Sequence, residues 1–109
     1  MVTLRLSSGH QADGITFQVI EISLDGVATP DVLSQLHLPA GINTRMGVIL
    51  TGRAPIWLYG WLVHECHFTR WVACNDPRLG AVVVESHTPE VRVGQVIAWE
   101  QSDILPHSC

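Results

Sequence analysis

The alternation of apolar and polar positions divides the chain into short strands with two helical interruptions. Residues 2–7, VTLRLS, alternate strictly, the pattern of a half-buried strand. Residues 8–14, SGHQADG, have turn composition, and residues 15–23, ITFQVIEIS, return to β-branched and aromatic residues, so the two runs read as a hairpin. Thr29, Pro30 and Asp31 carry a helix-start signal: a capping hydroxyl, a proline at the first helical position and a carboxylate in the first turn. That helix is short and ends by Pro39.

The pattern then tightens. Residues 46–52, MGVILTG, form an unbroken apolar run, the mark of a strand covered on both faces. Residues 55–67, PIWLYGWLVHECH, read as a helix that is apolar nearly all round, which predicts burial against both the sheet and a neighbour. Strands follow at 71–75, WVACN, and 81–86, AVVVES, joined by DPRLG as a hairpin loop. Gly94 marks a turn, and residues 95–100, QVIAWE, form the last strand. Strand, helix and strand with buried parallel character predict an α/β fold, with a mixed sheet and antiparallel hairpins at its edges.

Composition adds three constraints. The 109 residues fit a single domain spanning 1–109, and a 47% hydrophobic share supplies its core. Only 15% of residues are charged, which leaves little charge to cover a surface and predicts an oligomer. The net charge of −4 excludes wrapping a long polynucleotide such as DNA, but not holding a small phosphate ligand. All six basic residues are Arg, whose planar guanidinium suits bidentate phosphate contacts. The three cysteines, Cys66, Cys74 and Cys109, are odd in number and at no zinc-ribbon spacing, which predicts free thiols and a cytoplasmic chain. No signal segment opens the chain, and the longest apolar stretch, IWLYGWLV, is too short to span a bilayer, so no membrane partner is expected.

Four short stretches carry chemistry. Thr51-Gly52-Arg53 lies between a buried strand and a helix N-terminus, where free N–H groups and the helix dipole favour an anion. His64 and His67 stand at i and i+3, on adjacent parts of one helix face. Asp76 and Arg78 place a carboxylate and a guanidinium on one loop, and His87 directly follows a strand. Each stretch alone reads equally as an ordinary turn, helix end or strand end. Their placement says more. The helix separates Arg53 from His67 by roughly 20 Å. The next strand returns Asp76 and Arg78 to the edge of Arg53, and its hairpin partner carries His87 back to the edge of His67. A metal site combining Asp with His would then need two subunits stacked edge to edge.

The joint pattern TGR-x-PIWL, H-x-x-H, DPRLG and VVV-x-SH resembles the small CRISPR-associated Csx-three family of type III systems, also called CRISPR ring nuclease three. The resemblance runs from about Thr44 to Ile97. It implies a small Rossmann-like, CARF-related domain that forms homodimers. It implies manganese-dependent cleavage of cyclic tetra-adenylate, which switches off the antiviral response, with the ring held between two dimers stacked head to tail. By motif, the implied catalytic residues are His67, Asp76, Arg78 and His87. His67, Asp76 and His87 are the implied Mn²⁺ ligands, and Thr51, Gly52, Arg53, Arg78 and Ser86 the ligand contacts. Two other activities stay open: a module that binds cyclic oligoadenylate without hydrolysis, and a deadenylating exonuclease on short oligoadenylate RNA. The attacking oxygen, a metal-held water or the ribose 2′-hydroxyl, stays open too. Some family members carry a fused C-terminal kinase-like domain, which is expected to be absent here or removed.

Overall fold

A computed structural model describes residues 1–100. It contains strands β1 (Val2–Ala12), β2 (Ile15–Leu24), β3 (Gly47–Thr51), β4 (Trp71–Asp76), β5 (Gly80–Ser86) and β6 (Val96–Ile97), with one α-helix, α1 (Ile56–Glu65). The helix expected after Thr29 is a 3-10 turn, Pro30–Ser34. Thr29 donates its hydroxyl to the Asp31 carboxylate rather than capping the turn's backbone. With Pro30, Pro39 and Gly41 nearby, too few residues remain for a stable α-helix.

The six strands form one sheet in the order β1-β2-β3-β4-β5-β6, the order of the chain itself. β2, β3 and β4 run parallel, while β1 and β5 pair antiparallel on either side and β6 pairs antiparallel with β5. The first hairpin turns on Asp13 and Gly14, both at positive φ (53° and 74°), so the strands reach farther into the expected turn than the composition predicted.

These findings correct the expected α/β, Rossmann-like architecture. Among the described residues the domain is mostly β, a mixed six-stranded sheet with one α-helix. A doubly wound fold places helices on both faces and reverses its strand order at a switch point. Here the order never reverses. α1 and the Pro30–Ser34 turn also cover the same face, where Leu58, Leu62 and Cys66 pack with Leu33 against Ile20, Val48, Leu50 and Val72.

Among the described residues the opposite face has no helix and is covered by Val91 and Trp99 from the segments flanking β6. Phe17 of β2 and Trp99, which follows β6, meet edge to face with ring centroids 5.9 Å apart. The Trp99 indole N–H also bonds the Asn75 side chain of β4 at 3.0 Å, so the segment after β6 folds back over the cluster of Phe17, Val19, Ile49, Trp71, Ala73 and Val83. At its centre Trp71 lies over Gly47; a Cβ there would fall 1.9 Å from the indole Cε2. No helix of the described residues is long and apolar enough to cross a membrane.

Candidate functional site

The parallel register of β3 and β4 decides where the polar residues emerge. Both strands end on one edge of the sheet, delivering Thr51-Gly52-Arg53 and Asn75-Asp76 side by side. Gly52 is required there. Its φ is 136°, and a Cβ would stand 2.3 Å from the Ile22 carbonyl oxygen. The turn is clamped by the Tyr59 hydroxyl, which donates to the Gly52 carbonyl at 2.6 Å. Burial pushes the Tyr59 phenol up to about 12, with Cys74 a smaller contributor, so it stays a neutral donor. Pro55 is the N-cap of α1 rather than its first helical residue.

Asp76 organises the neighbouring loop. One carboxylate oxygen, Oδ1, accepts from the backbone N–H of Arg78 at 2.8 Å and of Leu79 at 3.2 Å. The loop forms a wall between two clefts. On one side a cleft of about 690 Å³ includes Gly52, Arg53, Ile56, Tyr59 and Leu79 along with Asp76. On the other, a cleft of about 390 Å³ includes Arg78 and Trp99. Asn75 braces both, donating to the Thr51 hydroxyl at 3.2 Å and accepting from the Trp99 indole N–H at 3.0 Å. Among the described residues Arg53 and Arg78 have no carboxylate partner, unlike Arg5 with Glu21 and Arg70 with Glu90. This edge therefore holds two guanidinium groups outside any ion pair, beside the carboxylates of Asp76 and Glu100.

The histidines gather on the opposite edge. His64 and His67 stack with ring centroids 5.9 Å apart at the end of α1. His67 Nδ1 lies 2.8 Å from the His64 carbonyl oxygen, and as the donor it leaves Nε2 with a free lone pair. His87 Nε2 lies 2.8 Å from the His67 carbonyl oxygen and 3.4 Å from Glu85, so it is the protonated nitrogen and Nδ1 carries the lone pair. Two imidazoles are thus held by the same short turn, each with one nitrogen facing away from its protein acceptor.

The structure brings Gly52, Arg53, Asp76 and Arg78 to one edge and His64, His67 and His87 to the other. It does not bring the two groups together. β4 separates them, and its six residues extend about 17 Å. No three His, Cys, Asp or Glu side chains come together as a metal cluster among the described residues. The described residues of one chain therefore do not present a manganese ligand set by themselves. The hydroxyls of Thr51 and Ser86 face inward. Thr51 is buried, and Ser86 Oγ bonds the Val91 carbonyl at 2.6 Å. Cys66 and Cys74 are free thiols whose burial raises them above their usual range, Cys66 to about 12, so neither is a thiolate nucleophile. Cys109 lies outside the described residues. Sequence reasoning missed Tyr59, Asn75 and Trp99. The only signal available was polar or aromatic side chains flanking the two candidate motifs.

Comparison with known proteins matches residues 21–98 to the family model described as CRISPR-associated protein (Cas_csx3). The match starts within β2, well before the Thr44 limit expected from the motifs. A protein of Aquifex aeolicus (strain VF5), named only as an uncharacterized protein, is 43% identical over 86 residues, covering 75% of this chain and 78% of its own.

Proposed function

The chain belongs to the CRISPR-associated Cas_csx3 family, and from that premise we propose that it is a ring nuclease acting on cyclic tetra-adenylate at a site shared by two copies. One observation carries the reading. The residues suited to phosphate chemistry form two incomplete halves on opposite edges of one sheet. Stacking one copy's Asp76 edge on another's histidine edge completes the set. The exposed side chains Ile56 (88%) and Leu79 (63%) on the Arg53 cleft give that edge apolar surface to cover.

Within the shared site each residue has a task set by its local geometry. Arg53 and Arg78, without a carboxylate partner among the described residues, hold the phosphate and stabilise the charge that develops on it. His67 Nε2 and His87 Nδ1 each offer one lone pair, which either moves a proton between the attacking and leaving oxygens or ligates a metal, not both at once. The second oxygen of Asp76, which no backbone N–H of its loop engages, faces the neighbouring copy. A manganese ion held jointly by His67, His87 and the facing Asp76 would add Lewis-acid polarisation of the phosphate. Both arginines approach from clefts large enough to admit part of a nucleotide.

The test is incubation of purified protein with labelled cyclic tetra-adenylate, with and without manganese. Linear oligoadenylate is expected only with the metal. A ring that stays intact after long incubation at high protein concentration overturns the proposal.

A further inference from the structure

A third cleft, of about 460 Å³, opens on the edge that carries the histidines but on the sheet face opposite α1. Arg45, Arg70, Trp71 and Glu90 are among its lining residues. None of them belongs to the two half-sites described above.

Three observations indicate an anion. First, the cleft holds two guanidinium groups and one carboxylate. Arg70 is bound to Thr88 at 3.1 Å and to Glu90 at 3.3 Å, while Arg45 has no carboxylate partner among the described residues. A positive charge is therefore left over.

Second, the loop carrying Arg45 is fixed rather than loose. The fully buried Gln18 accepts from the Asn43 N–H at 3.0 Å and donates to the carbonyl oxygens of Asn43 at 2.8 Å and Met46 at 3.2 Å. The Arg45 N–H in turn donates to the Asn43 side chain at 2.8 Å. A buried amide making three backbone bonds sets the position from which Arg45 reaches out.

Third, Trp71 is 2% exposed, yet its indole N–H has no acceptor among the described residues. Buried donors are seldom left so.

We infer that this cleft is a second anion site, taking a phosphate group of a short oligonucleotide between Arg45 and Arg70, with the Trp71 indole N–H as a further donor. The backbone supports continuity with the histidine edge, because the His87 N–H donates to the Arg70 carbonyl at 3.0 Å. A strand bound at His67 and His87 could cross the sheet edge and leave its next phosphate in the cleft. That choice of ligand rests on the nuclease reading; the anion site rests on the cleft alone.

The two are separated by probing the site without any cleavage assay. Indole N–H resonances of the intact protein are followed by NMR as inorganic phosphate, or linear tri-adenylate, is added in the absence of metal. The Trp71 signal is identified by its loss in Trp71→Phe. Both probes should shift that signal, and Arg45→Ala should weaken each by about tenfold or more, the loss expected for one charge-assisted hydrogen bond. No shift with either probe, or identical binding by Arg45→Ala, overturns the anion site. A shift with phosphate but none with tri-adenylate overturns its assignment to an oligonucleotide. Ring cleavage with manganese, measured separately, reports on the nuclease reading through a different signal.

Discussion

Two inactive variants should restore activity when mixed. His67→Ala removes one half of the shared site, and Asp76→Asn removes the other while keeping the oxygen that accepts the Arg78 and Leu79 N–H bonds. Each variant alone should lack ring cleavage, because every interface it forms has the same missing group. In an equal mixture, an interface is intact when its histidine edge comes from Asp76→Asn and its acidic edge from His67→Ala. Each condition holds for about half of the copies, so about a quarter of interfaces recover the full set in a head-to-tail stack. The structure makes this decisive. β4 holds Asp76 about 17 Å from the histidine edge, far beyond direct contact with one phosphate. The assay is manganese-dependent cleavage of labelled cyclic tetra-adenylate at fixed total protein, as a function of mixing ratio. A maximum near the equal mixture, at about a quarter of the unmutated rate, is expected. A mixture no more active than the average of its components refutes the shared site.

Three further outcomes follow from the fold. Gly47→Ala puts a methyl group into the Trp71 indole, so it should lower stability by about 3 kcal/mol, read by urea denaturation with both chains folded at low denaturant. Gln18→Leu keeps the volume but leaves the Asn43 N–H unpaired and the Asn43 and Met46 carbonyls with one backbone donor each, and should cost about 1–3 kcal/mol in the same measurement. Cys66 and Tyr59 are both held at about 12 by burial, against ordinary values of 9.0 and 10.0. The unfolded chain therefore loses those protons first as pH rises. Stability is full below pH 9 and should fall between pH 9 and 12, and Cys66→Ala should flatten the early part of that decline, as followed by thermal melts.

The edges were legible because they depend only on strand direction. Once residues 47–51 and 71–76 are parallel strands joined by a helix, Arg53 and Asp76 must emerge together and His67 must lie at the far end. The apolar run MGVILTG carried that signal, and β3 is buried along its whole length. The architecture was less legible. Residues 25–46 contain leucines at spacings that suit a helix, and nothing local shows that they fold as one 3-10 turn and loop against the face α1 already covers. Closure of the other face depends on Phe17 meeting Trp99, a contact between residues far apart in the chain. The clefts were hidden for the same reason. Asn75 and Tyr59 matter through partners at Thr51, Gly52 and Trp99, which no local pattern specifies.

Because the strands sit in the sheet in the order in which they are made, assembly can follow synthesis. The β1–β2 hairpin needs no later residue, and β3 and then β4 each add to an edge that already exists. Each addition closes only the loop just released from the growing end, which keeps the entropic cost of every step low. The chemistry arrives last. A nascent chain that has reached residue 75 can hold three parallel strands and a docked helix, yet it lacks Asp76, Arg78 and His87 altogether. Only the β4–β5 hairpin supplies them, one pair at its turn and one residue at its far end, so a partly made chain is structured before its candidate site is complete.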